Sequence, residues 1–218
     1  MTLAIFDLDN TLLAGDSDHA WGEFLVEEGI VDRDDYKRAN DQFYQDYLNG
    51  EMDIHRYLSF ALAPLAQHDL STLHAWRAQF VEEKIKPMMQ VKAAQLLDRH
   101  RQQGHTLMII TATNRFVTAP IAELLDIEHL IAVEPEMKDG RYTGGVTGVP
   151  SFQEGKITRL NDWLLQHHRN LEGAWFYSDS INDAPLLKLV PNAVAVDPDP
   201  RLADLAKGSG WEIMSLRD

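Results

Sequence analysis

The sequence predicts an α/β fold, a doubly wound parallel sheet with helices on both faces, interrupted by an inserted all-helical segment. Strand-length apolar runs alternate with amphipathic helical patterns, which is how βαβ units read in sequence. Several of these runs end in Asp, Ser or Thr. The alternation stops between residues 14 and 87, a far longer interval than a βαβ crossover needs.

The first run, Leu3-Ala4-Ile5-Phe6, is too short for a buried helix, and its apolar residues fill both faces, so it reads as an interior strand. Residues 14–87 hold four amphipathic patterns, at 21–28, 34–48, 54–62 and 70–85, separated by Gly29, Gly50 and Pro64. The expected division is therefore a core of residues 1–13 and 88–218 and a helical segment of residues 14–87. Beyond it the core patterns resume. Helices are expected at 88–101, 117–125, 156–168, 182–190 and 200–207, and strands at 106–111, 174–179 and 193–197, with a weaker one at 129–133. Residues 136–145 read as a hairpin around Asp139-Gly140.

The 218 residues contain 34 Asp plus Glu against 20 Lys plus Arg, a net charge of -14. That balance disfavours nucleic-acid backbones and anionic membranes as partners. There is no Cys, which removes disulfides, thiolate metal sites and thiol nucleophiles. No stretch approaches the ~20 apolar residues of a membrane span, and the first apolar run is interrupted by Asp7, unlike a signal peptide. A cytoplasmic location is the expectation.

Ligands of open α/β sheets bind beyond the carboxyl ends of the strands. Those ends here are Asp7-Leu8-Asp9-Asn10-Thr11, Thr111-Ala112-Thr113-Asn114, Ser178-Asp179-Ser180-Ile181-Asn182-Asp183 and Asp197-Pro198-Asp199. Carboxylates gathered there repel one another without a cation, and oxygen donors without His or Cys favour Mg²⁺. Lys156, after Gly155 at a helix start, and the Thr111 hydroxyl supply partners for a phosphate. Asp197 and Asp199 are expected to cap the following helix rather than bind metal.

Together these residues resemble the haloacid dehalogenase superfamily. Asp7-Leu8-Asp9-Asn10-Thr11 is similar to its motif I (DxDxT), Thr111 to motif II and Lys156 to motif III. The run from Ser178 to Asp183 is similar to motif IV (GDxxND), with Ser178 in place of Gly. The insertion after the first strand corresponds to the family's type I cap, and its helical character resembles the phosphoserine phosphatase-like branch. The resemblance implies a Rossmann-like core, a Mg²⁺ cofactor and hydrolysis of a small phosphorylated metabolite through an aspartyl-phosphate. It makes Asp7 the nucleophile and Asp9 the general acid and base. Asp7, the Asp9 carbonyl and Asp179 would hold Mg²⁺. Thr111 and Lys156 would bind phosphoryl oxygens, while Asn182 and Asp183 would orient ligand waters and the phosphoryl group. Asp9 favours ester hydrolysis over dehalogenation, since a departing halide needs no proton. A phosphomutase shares the pair of Asp residues, and a phospho-acceptor signalling module clusters similar groups, but its order of acids along the strands differs.

Substrate choice rests on the insertion. Phosphoserine phosphatases hold the substrate ammonium with a Glu nine residues after the nucleophile, where this chain has Asp16. Their carboxylate-clamping Arg aligns with Ser59, and Arg56 stands three residues away. Loss of that clamp favours an amine without a carboxylate, so L-histidinol phosphate is expected ahead of phosphoserine. Asp16 or Asp18 would meet its ammonium, and Trp21, Phe43, Tyr44 or Tyr47 its imidazole. Arg115 either reaches substrate or only begins a helix.

Overall fold

The computed structural model describes residues 2–217. Strand β1 (Leu3–Phe6) leads into the helical interval, which carries α1 (Ser17–Glu27), α2 (Arg33–Asn49), α3 (Ile54–Ala61), α4 (Ala63–Gln67), α5 (Leu70–Phe80) and α6 (Lys86–Met88). The core then continues as α7 (Val91–Gln102), β2 (Thr106–Asn114), α8 (Arg115–Leu124), β3 (His129–Lys138), β4 (Arg141–Thr147) and α9 (Glu154–Gln166). It closes with β5 (Trp175–Ser178), α10 (Ala184–Leu187), β6 (Asn192–Val196), α11 (Pro200–Ser209) and β7 (Glu212–Met214). The strands form one sheet in the order β4-β3-β2-β1-β5-β6-β7, parallel except for the β3–β4 hairpin. That hairpin turns at Asp139-Gly140, both with positive φ, as a two-residue turn joining twisted strands requires.

Strand β1 lies at the centre with every residue fully buried. Because side chains alternate across a strand, Leu3 and Ile5 join one apolar cluster with Met108, Ile110 and Phe176, while Ala4 and Phe6 join another with Ile109 and Tyr177. The second cluster continues into the insertion. From β1 the chain builds β2, β3 and β4 on one side and then crosses to β5 on the other. This reversal opens a crevice beyond the carboxyl end of β1, the usual ligand position in such sheets.

Four helices of the insertion, α1, α2, α3 and α5, start on an Asp whose side chain accepts backbone N–H groups: Asp16, Asp32, Asp53 and Asp69. Part of the acidic excess is therefore helix capping. The two linkers to the core run side by side, with the Ala14 N–H donating to the Met88 carbonyl at 2.8 Å. At their base the ring of Trp21 meets Phe24, Phe80 and Phe116 at centroid distances of 5.1 to 5.6 Å. Trp21 is packed among these rings, 2% exposed, and does not line the pocket above Asp7, so it is core packing and not a substrate contact, which corrects the sequence expectation. A large flat ring at helical spacing suits either role in sequence; only the docking of α1 on α8 decides.

Several elements differ from expectation: α4 carries Pro64, expected only as a separator, in its first turn, and β2 runs on to Asn114 instead of ending at Thr111. The 182–190 helix is a single turn (Ile181–Asp183) followed by the four-residue α10, because Pro185 fits only a first turn and Pro191 forbids continuation. Strand β7 was not expected, its three residues being too short to show a period. Among the described residues no helix is long and apolar enough to cross a membrane.

Candidate active site

The loop leaving β1 keeps extended backbone at Asp7 and Asp9, then turns sharply at Asn10 (φ 54°), a residue that tolerates the left-handed region. Both carboxylates line the same pocket. Lys156 reaches them from the first turn of α9, 2% exposed, donating to Asp7 Oδ1 at 2.8 Å and to Asp183 Oδ2 at 2.7 Å. Gly155 is what allows this approach, since a Cβ there would lie 2.0 Å from the Pro150 carbonyl oxygen. The Ser178 hydroxyl donates to the same Asp183 oxygen at 2.8 Å and accepts the Ser180 N–H. Ser178 in place of Gly thus contributes a hydrogen bond rather than a defect. Asp179 accepts from the Thr11 hydroxyl at 3.1 Å.

One ammonium stands against the buried carboxylates of Asp7 and Asp183, with the half-buried carboxylate of Asp179 in the same cluster. Burial, with Asp183 and Asp9 adding repulsion against the pull of Lys156, raises Asp7 to about 7. Burial followed by repulsion from Asp7 and Asp183 holds Asp179 well above the carboxylate range. Burial works against the charge of Lys156, but Asp183 and Asp7 outweigh it and hold the amine above its ordinary value. The charge deficit and an all-oxygen donor set suit a hard divalent cation that keeps several waters. Among the described residues no group of three carboxylate or imidazole side chains forms a complete metal cage. Asp7 and Asp179 offer two carboxylates, fewer than such a cage contains.

Asp9 is fixed differently. Its carboxylate accepts the Ser17 N–H at 2.6 Å, the Thr113 hydroxyl at 2.8 Å and, more weakly, the Thr111 hydroxyl at 3.4 Å. It joins the start of α1 to the end of β2. Thr113 was not among the expected site residues, although its i+2 spacing from Thr111 in an extended segment placed it on the same side. The ladder from β2 to β3 is irregular between Ile110 and Asn114, where these two threonines stand. Asn182 accepts from Gln153 at 3.2 Å and donates to the Tyr47 carbonyl at 3.0 Å, so it engages the insertion as well as the strand ends. Asp199 caps α11, as expected, and Asp197 instead accepts the Leu216 N–H.

The pocket above Asp7 and Asp9 is lined by Asp16, Asp18, His19, Asn40, Phe43, Tyr44, Tyr47, Met52 and Tyr57, with Thr111, Ala112 and Thr113 along its core side. Asp16 Oδ1 caps α1 by accepting from Asp18 and His19. Burial raises Asp18 to about 7 despite a hydrogen bond from Tyr57. No Lys or Arg lines this pocket. Arg115 does not reach it; its guanidinium grips Glu134 at 2.8 to 3.0 Å and the Leu130 carbonyl at 2.7 Å. That corrects its reading as a substrate residue, and Arg115 does begin helix α8. Arg56 and Ser59 lie exposed on α3, outside the lining.

Residues 4–188 match the family model of the haloacid dehalogenase-like hydrolases. The chain belongs to that family. A histidinol-phosphatase of Neisseria meningitidis serogroup C is 43% identical over 99% of both chains. A crystal structure of a Bordetella pertussis protein of unknown function superposes with a TM-score of 0.93 at 42% identity, covering all of both chains. A substrate-bound phosphoserine phosphatase superposes with a TM-score of 0.73 over 99% of this chain and 93% of its own, but at 16% identity it shares the fold alone. Within the haloacid dehalogenase-like hydrolases this chain is a phosphoric monoester hydrolase, and phosphatases of this family generally use Mg²⁺.

Proposed function

We propose that the chain is a Mg²⁺-dependent histidinol-phosphatase working through an aspartyl-phosphate on Asp7, with residues 14–87 as its cap. The observation that carries the substrate reading is the insertion's side of the pocket lining: Asp16, Asp18, the rings of Phe43, Tyr44, Tyr47 and Tyr57, and His19, Asn40 and Met52, without a Lys or Arg for a substrate carboxylate. L-histidinol phosphate has an ammonium, an imidazole and no carboxylate. Its ammonium pairs with Asp16 or Asp18, and its ring packs among Phe43, Tyr44, Tyr47 and Tyr57. Phosphoserine would bury a carboxylate without a partner, which costs several kcal/mol. The 43% identical relative of that name supports the same substrate.

In the chemistry proposed, an Asp7 oxygen attacks phosphorus in line and the alcohol leaves with a proton from Asp9. Asp9 then takes a proton from the water that cleaves the aspartyl-phosphate, restoring Asp7. Lys156 holds the Asp7 carboxylate in position and, with Thr111, binds phosphoryl oxygens where charge accumulates. Asp183 keeps Lys156 oriented, and Asn182 stands at the cap-side edge. Asp7, Asp179 and the Asp9 carbonyl would hold Mg²⁺, which neutralises the phosphoryl oxygens and the clustered carboxylates. A phosphate-release panel tests this reading. Histidinol phosphate should exceed phosphoserine in kcat/KM by at least about tenfold, equal to ~1.4 kcal/mol of discrimination, with activity lost in EDTA. The reverse ranking, or EDTA-resistant turnover, would refute it.

A further inference from the structure

The end of α2 is held against the core from two sides. Arg201, in the first turn of α11, donates through Nη1 to the Asn49 carbonyl at 2.8 Å. Asn182 donates to the Tyr47 carbonyl at 3.0 Å. These are terminal carbonyls of α2, where the helix dipole is negative and a guanidinium is favoured. Gly50 makes room for the contact: it takes φ +73° to end the helix, and a Cβ there would stand 2.9 Å from Arg201 Nη1. The arginine is also tied to the loop that follows β5. Asp199 accepts the Arg201 and Leu202 N–H groups through Oδ1 at 2.8 and 2.9 Å, and the Ile181 N–H through Oδ2 at 2.6 Å. Its own N–H donates to the Asp179 carbonyl at 2.8 Å. Tyr47, one turn before Gly50, is half-buried, lines the pocket above Asp7 and has its hydroxyl bonded to Ser180.

We infer that Arg201 is a positioning residue for the phosphatase reaction: it fixes the α2 end, and with it Tyr47, over the Asp179 loop, and Asp199 couples that grip to the loop itself. The inference needs the phosphatase activity but no particular substrate, so failure of the histidinol phosphate reading leaves it standing. Neither residue lies in the four motifs. An exposed arginine at a helix start would otherwise be only a solvated surface charge.

The test combines amide hydrogen exchange with steady-state kinetics on p-nitrophenyl phosphate with Mg²⁺, using the full chain. In Arg201→Ala, exchange at Gly50 and Glu51, whose amides close the α2 terminus, should rise about tenfold, while amides of β1 and β2 stay unchanged. KM should rise about fivefold with kcat within twofold, as expected for loss of one hydrogen bond to a charged group near the surface. Arg201→Lys should restore most of both. Asp199→Asn keeps a competent cap for α11 but loses the charged acceptor of Ile181, so it should raise KM and leave exchange at Gly50 unchanged. Wild-type exchange in Arg201→Ala, or faster exchange with both kinetic constants unchanged, would overturn the role of Arg201. An unchanged KM in Asp199→Asn would overturn the coupling.

Discussion

Around Asp7 the buried polar groups are tied together by side chains far apart in sequence. Lys156 joins Asp7 to Asp183, Ser178 joins Asp183 to its own strand end, and Thr11 meets Asp179. Across the pocket the insertion presents a different surface, in which Asp16 caps its own helix, Asp18 meets Tyr57 and most other walls are rings. The floor has little freedom, because moving one group leaves a buried charge without its partner. The roof holds its shape by packing, which many residue types achieve, so it can change substrate without disturbing the reaction. Removing a floor residue should therefore affect every substrate, and removing a roof residue only those that touch it.

The largest effect is expected at the floor. Asp7→Asn should lower kcat by at least about 10⁴-fold on histidinol phosphate and p-nitrophenyl phosphate alike, as loss of a nucleophile does; a loss confined to one substrate would break the division. Trp21→Ala, at the seam between the regions, should reduce unfolding free energy in urea by about 3–5 kcal/mol. KM of the folded fraction should stay within twofold, whereas a substrate contact would raise it. Asp18→Asn should lower kcat/KM about 10- to 100-fold on histidinol phosphate and leave p-nitrophenyl phosphate within threefold, the scale of one buried charged contact. Equal losses on both would merge roof and floor.

The smallest effect lies beneath the floor, where His100 bonds Tyr177 and His105 at 2.8 Å. Burial, with His105 and Arg99 adding repulsion, lowers His100 from 6.5 to about 4. Between those values the unfolded chain binds the extra proton, so this contribution is full above about pH 6.5 and is lost as pH falls toward 4. The stability drop between pH 7.5 and 5 should shrink on the order of 2 kcal/mol in His100→Gln. An unchanged slope would place the titration elsewhere.

The core strands and the floor were legible because each signal is local: an apolar run ending in Asp, and a Gly-Lys at a helix start. The extension of β2 was not, since Thr113 acts through an irregular ladder that depends on β3. Trp21 and Arg115 misled because a ring or a guanidinium reads alike in sequence, whether it faces a ligand or a neighbouring helix. Asp16 was named for a substrate ammonium, yet one of its oxygens already caps α1. Arg201 carried no signal, because its partner is a main-chain carbonyl 152 residues away in sequence.

The assignment of Asp7 as nucleophile is tested most directly by quenching the enzyme during turnover of histidinol phosphate with Mg²⁺, reducing with borohydride and mapping the product by mass spectrometry. An aspartyl-phosphate on Asp7 predicts that this position alone is reduced to homoserine, and only when substrate is present. Reduction at another carboxylate, or none while the intermediate should accumulate in Asp9→Asn, would contradict it.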